Sequence, residues 1–290
     1  MKLFADTASI EEIEYCFLRG VDDGITTNPK IMETTGDLSK GFEFACNSII
    51  STFPNIPVSL ETDLRGLNVD EIHDKPELVK QTLLTQAYSL SKLSNNVVVK
   101  IPVCEGGLLA AKVLAEKGIK TNITACMTPY QAIKASEYGI GYVSLFANRM
   151  VDSHIIELAG YPLEETLKSS EWKGIVKNNA EKYQGIAWDL TLSEIAYVSE
   201  HLEKTGRCHL IVGSIRSPED LYKISKSNPH IITVPYNIVK SLPQVNELKN
   251  ATRVIPTDNM NIKESLYHPM TQLTLMEFEK SADSYRLKKI

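Results

Sequence analysis

Cysteine is scarce and scattered in this 290-residue sequence. There are five, Cys16, Cys46, Cys104, Cys126 and Cys208, an odd number with no CxxC pair. That pattern argues against a disulfide framework and against a cysteine zinc site. No apolar run approaches the roughly 20 residues needed to span a bilayer, so no membrane partner is expected. The opening MKLFADTAS meets Asp6 too early for a secretory leader. A basic excess is also missing. The net charge is −5, which leaves no electrostatic footprint for nucleic acid. A GxGxxG turn after the first strand, the usual mark of a doubly wound dinucleotide-binding sheet, does not occur. The six histidines (His73, His154, His201, His209, His230, His268) have no metal-ligand spacing and read as structural or surface residues. With 43% hydrophobic and 23% charged residues, the chain reads as a soluble protein suited to a reducing cytoplasm.

What is present is an alternation of short β-branched runs with longer amphipathic stretches. Strands are expected at 2–6, 24–28, 58–63, 96–103, 120–127, 141–150, 208–215 and 230–239. Helices are expected at 9–20, 38–53, 75–93, 106–118, 129–139 and 190–206, the first with Ser9 as N-cap and Glu12 three residues on. Eight strands, each followed by a helix or a long connection, predict an α/β fold, a single TIM (β/α)8 barrel over 1–290. Two regions exceed the simple repeat: a helical excursion at about 151–189 and a polar, irregular stretch at 243–268 within a C-terminal extension to 290. An amphipathic helix at about 269–286 closes that extension, with Met270, Leu273, Met276 and Phe278 near helical spacing. It packs either on its own barrel or on another subunit. Gly106 and Gly107 begin the fourth helix after a strand and could admit close backbone approach, though a plain loop is the simpler reading.

In such a barrel the active site lies at the carboxyl ends of the strands. The polar residues there are Asp6, Asn28, Glu61, Lys100, Asn122, Thr124, Ser144, Arg149, Ser214 and Arg216. They come from seven strands and converge on one cup. Lys100 interrupts VVVKIPV (97–103), and a lysine is almost never buried without a partner. Burial favours the neutral amine that attack on a carbonyl requires. A structural ion pair with Glu61 explains the same residue equally simply. Asp6 and Glu61 could serve as separate acid/base groups or merely balance the lysine. Arg149, Ser214 and Arg216 look like an anion clamp, since arginine grips phosphate through two parallel hydrogen bonds. GSIRSPED (213–220) also runs from a strand end into a helix start, where an anion is favoured. The bland alternative is a capped helix with solvated arginines. Cys104 and Cys126 read as packed thiols, since neither has a basic neighbour in sequence.

The segments DTASIEEI, GITTNPKIM, VSLETD, VVVKIPV, TNITACMTPYQA, YVSLFANRM and VGSIRSPED, in this order, resemble transaldolases and the related small fructose-6-phosphate aldolases. The likeness covers 1–150 and 205–290, and 151–204 aligns loosely. It implies that Lys100 is the Schiff-base lysine and Asp6 the acid/base for the C4 hydroxyl. It implies that Glu61 and Thr124 position a catalytic water. Asn28, Asn122 and Ser144 would hold the dihydroxyacetone part of the substrate, and Arg149, Ser214 and Arg216 its phosphate. It implies sugar-phosphate substrates and no metal or organic cofactor. Homo-oligomers are also implied, because small members often form rings that exchange the terminal helix.

Two positions bear on the branch. Glu61 and Phe146 resemble transaldolases, where the aldolase branch has Gln and a catalytic Tyr. Chain length and the HPM (268–270) before the last helix resemble the small branch. The implied reaction moves a dihydroxyacetone unit from a ketose phosphate such as fructose 6-phosphate to an aldose phosphate. The alternatives are an aldolase releasing free dihydroxyacetone, a transaldolase for another anionic ketose such as a sulfonate, and a catalytically dead sugar-phosphate binder.

Overall fold

The computed structural model describes residues 1–242, 245–250, 255, 260 and 262–286. In chain order the elements are β1 (Lys2–Asp6), α1 (Ile10–Leu18), β2 (Gly24–Thr26), α2 (Pro29–Thr35), α3 (Phe42–Thr52), β3 (Val58–Glu61), α4 (Pro76–Ser91), β4 (Val97–Pro102), α5 (Glu105–Glu116), β5 (Thr121–Cys126), α6 (Pro129–Ser136), β6 (Tyr142–Phe146), α7 (Ala147–Leu158), α8 (Leu163–Lys168), α9 (Trp172–Thr205), β7 (His209–Gly213), α10 (Pro218–Ser225), β8 (Ile231–Pro235), α11 (Tyr236–Ser241), α12 (Asn246–Lys249) and α13 (Pro269–Arg286). A 3-10 turn, Val69–Glu71, precedes α4. The eight strands are parallel, and β1 pairs with both β2 and β8 to close the ring. This is the expected TIM barrel.

The helix starts follow local chemistry. Asn28, Thr128 and Ser217 each cap a helix whose next residue is proline, and Ser217 forms a reciprocal capping box with Asp220. Proline costs nothing there, because the N–H it lacks would have no internal acceptor in the first turn. Gly107 is not in a loop but in the first turn of α5. A Cβ there would lie 2.2 Å from the Pro102 carbonyl oxygen, so the helix returns against its strand only because glycine has none.

Side chains alternate in and out along each strand. Phe4, Ile211 and Ile231 form a small inner cluster, and Gly24 leaves room for the Phe4 ring. The remaining buried residues form the layer between strands and helices. Two residues beyond Phe4 on the same side of β1 is Asp6. The polar site therefore sits directly above an apolar floor.

Several boundaries depart from expectation. The sixth strand was expected to reach 150 but stops at Phe146, where α7 begins with Ala147 and continues through the good helix formers Arg149 and Met150. The eighth stops at Pro235, and Tyr236–Ser241 is helical. α2 follows the second strand unannounced. The 151–189 excursion and the helix expected at 190–206 are largely one element. α9 runs 34 residues without a proline, about 50 Å at the usual rise. Its Gly174 and Gly185 face open space, and it ends at Gly206 with φ 60°. α13 has its expected span, and it lies across its own barrel, against α2, α7, α8 and β5. Its buried face is Met270, Thr274, Leu275, Phe278 and Ala282, whereas Met276, expected on that face, is 48% exposed. Of the polar stretch expected at 243–268, residues 243–244, 251–254, 256–259 and 261 lie outside the described residues, and Asn246–Lys249 forms α12. Among the described residues no helix is long and apolar enough to cross a membrane.

Candidate active site

A cavity of about 550 Å³ opens at the carboxyl ends of the strands, beneath α13. Lys100 rises into it from β4 and is 4% exposed. Its Nζ lies 2.9 Å from Glu61 Oε2 and donates to the Thr27 carbonyl at 3.0 Å. Glu61 is Lys100's neighbour in register on β3, so the pairing of the strands itself makes the ion pair. Asp6 stands three strands from Lys100 around the ring, on β1, where Thr26 Oγ1 donates to Oδ1 at 2.7 Å. Thr26 also bonds Thr233 of β8, which makes a short relay of hydroxyls behind Asp6.

Burial pushes both carboxyls above their ordinary values. For Asp6, desolvation outweighs the Lys100 charge and the Thr26 and Thr233 hydrogen bonds that favour the ionised form. For Glu61, desolvation likewise outweighs Lys100. Two raised carboxyls flanking one amine form a set of groups able to trade protons.

The far wall is built by β5 and β6. Ser144 Oγ donates to Asn122 Oδ1 at 2.8 Å, and Asn122 reaches Ser59 Oγ at 3.4 Å. Thr124 is fully buried, and its Oγ1 has no hydrogen-bond partner among the described residues. The next residue, Ala125, has φ 61° where the register of β5 against β6 shifts, and this local twist orients the strand end. The Phe146 ring faces Lys100 Nζ at 6.0 Å and packs against Phe278 of α13 at 6.4 Å.

At the mouth, Asn28 is committed partly to structure, since its Oδ1 caps α2 through the Ile31 N–H at 2.8 Å. Arg149, in the first turn of α7, lies over the Trp172 ring at 5.7 Å and pairs with Glu277 of α13. Ser214 adopts φ 63°, a costly conformation for a residue with a Cβ. Its carbonyl accepts from Asn148 Nδ2 at 2.7 Å. Arg216 is not on the cavity wall. Its guanidinium forks onto Asp152 at 2.9 and 2.6 Å.

Of the residues expected from sequence, the cavity is lined by Asp6, Asn28, Lys100, Ser144, Phe146, Arg149 and Ser214. Glu61 and Asn122 touch that lining from behind, while Thr124 and Arg216 do not line it. Sequence reasoning missed Thr26 and Thr233, whose signal was available: both face inward by strand alternation. It also missed Glu277, to which no local pattern points, and it placed Phe278 on the docking face of the last helix without assigning it to the site. The cysteines are all buried and unpaired, and burial pushes the Cys104 thiol up to about 11.

A family model described as Transaldolase/Fructose-6-phosphate aldolase matches residues 3–287. A probable transaldolase of Clostridium botulinum is 30% identical over 240 residues, which is 82% of this chain and 87% of the relative. One of Clostridium perfringens is 31% identical over 240 residues, covering 82% and 88%. One of Bdellovibrio bacteriovorus is 30% identical over 242 residues, covering 83% and 89%.

Proposed function

The chain belongs to the transaldolase/fructose-6-phosphate aldolase family, and on that premise we propose that it is a transaldolase working through a Schiff base on Lys100. The observation that carries this reading is the lysine itself, buried at the cavity floor between two carboxyls raised by their surroundings. Lys100 Nζ attacks the ketone of a ketose phosphate, and loss of water gives a protonated imine. Asp6 takes the C4 hydroxyl proton as the C3–C4 bond breaks, and an aldose phosphate leaves. The electron pair moves into the imine, leaving a three-carbon enamine on the lysine. The enamine carbon then attacks an acceptor aldehyde, Asp6 returns the proton, and water releases the new ketose. Glu61 and Thr124 handle the water of imine formation and hydrolysis, which suits a buried carboxyl beside the lysine and a buried hydroxyl without a protein partner. Asn28, Asn122 and Ser144 hold the dihydroxyacetone hydroxyls. Arg149 and Ser214 receive the anionic end, with Arg216 close behind.

Phe146 favours transfer over release. A phenyl ring near the amine has no proton to give to the enamine carbon. Fructose 6-phosphate as donor and erythrose 4-phosphate as acceptor fit this reading, as does a homo-oligomeric assembly in the cytoplasm. The test is trapping. Incubation with fructose 6-phosphate and borohydride, followed by intact mass and peptide mapping, is expected to place a three-carbon or six-carbon adduct on Lys100. Labelling of a different lysine, or none with any ketose, rules the mechanism out.

A further inference from the structure

We infer that Glu277 is an internal counter-anion seated in the anion clamp, so that a substrate's charged end binds by displacing it. This competition makes the site select dianionic phosphate over weaker anions and neutral sugars. The inference rests on the reading of Arg149, Ser214 and Arg216 as the clamp.

Glu277 lines the cavity mouth from α13, and its carboxylate pairs with Arg149. It also acts on Arg216. Against desolvation, which opposes the charge, Asp152 first and then Asp220 and Glu277 keep that guanidinium protonated. The carboxylate therefore occupies the Arg149 guanidinium, where a phosphate would have to sit, and its charge is also felt at Arg216. The pair is breakable: the Glu277 side chain is 37% exposed, whereas Asp152, which holds Arg216 permanently, is 3% exposed.

Nor is the pair needed to hold the helix. Thr271 Oγ1 donates to the Ala125 carbonyl at 2.9 Å, the Gly66 N–H donates to Glu279 at 3.2 Å, and Arg286 meets Asp63 at 3.1 Å. These contacts anchor α13 on both sides of Glu277. A displaced carboxylate also has somewhere to go. Lys280, three residues on along the helix, and Lys173 across the mouth both line the cavity and form no ion pair with a described residue. The discrimination follows from exchange. An incoming group must offer the arginines more than a carboxylate does. A phosphate dianion does so through its charge and extra acceptor oxygens, and a hydroxyl does not.

The test uses the full chain and inorganic phosphate as probe, read by calorimetry or by tryptophan fluorescence, since Trp172 lies beneath Arg149. Glu277→Gln is expected to tighten phosphate binding by about two- to five-fold, the factor that a partly exposed ion pair supplies. Glu277→Asp, which withdraws the carboxylate by one methylene, should fall between, and it carries the comparison if the Gln variant loses thermal stability. KM for fructose 6-phosphate should fall by a similar factor in Glu277→Gln, with kcat moving less. Phosphate binding that is unchanged or weaker in a stable variant overturns the inference. Because phosphate binding is read without turnover, tightened binding with no sugar transfer would fault the transaldolase reading instead.

Discussion

Removing the amine of Lys100 while keeping its bulk, as in Lys100→Met, isolates what the buried charges do to stability. Glu61 is 6% exposed and Lys100 is its cation. Without it Glu61 either stays ionised, at a cost of about 3–5 kcal/mol, or takes up a proton. Proton uptake costs about 1.4 kcal/mol for each pH unit above its ordinary value of 4.5. Since the wild type already carries part of this through its own raised value, the variant loses at most about 3 kcal/mol more at pH 7 and under about 1 kcal/mol at pH 5. The sign is that of a group with its folded pKa raised. Its stability is fully present below the unfolded value and falls away as pH rises. Asp6 also leans on Lys100, so a second proton can join and steepen the loss to about 2.7 kcal/mol per pH unit. Urea denaturation of wild type and variant at pH 5, 6 and 7 measures the difference. Adding Glu61→Gln should recover much of the loss at pH 7. An equal loss at all three pH values would refute the reasoning, because Glu61 could not then be an ionised partner of the lysine.

Two further outcomes are expected at the site. Phe146→Tyr puts a hydroxyl near the enamine, and release of free dihydroxyacetone from fructose 6-phosphate without acceptor should rise while transfer to erythrose 4-phosphate falls. Rapid acceptor-independent release by the wild type would instead place the chain with the aldolases. Arg149→Ala should lower kcat/KM on phosphorylated sugars by roughly 10- to 150-fold, the cost of one charged hydrogen-bond partner. Full efficiency in steady-state assays would move the clamp elsewhere.

The barrel was legible because its strands are short β-branched runs with strong punctuation, and VVVKIPV is the plainest of them. Where punctuation is missing, the reading fails. YVSLFANRM passes from strand to helix with no turn residue between Phe146 and Ala147, so the strand was drawn too long. α9 has no proline to divide it, and its polar first half hides its continuity with the second. The lysine and its two carboxyls were legible because charges at inward strand positions are rare. Strand alternation places Thr26 and Thr233 inward too, but threonine is an ordinary strand residue and their pairing across 207 positions is not visible locally. Arg216 looked like a free ligand because Asp152, its partner, lies 64 residues away on α7.

The position of α13 also bears on when the site becomes usable. Glu279 receives the Gly66 N–H across 213 residues, and Thr271 reaches Ala125 across 146. Contacts of such long range close late, because the intervening chain must first be ordered. During synthesis all eight strands precede α13, so the cup can be complete before its roof is made. An intermediate state would already hold Lys100, Asp6 and Glu61 in register, yet would leave an enamine facing bulk water. If the proposed enamine forms on Lys100, its shelter from water depends on the docking of one helix as well as on the closing of the barrel.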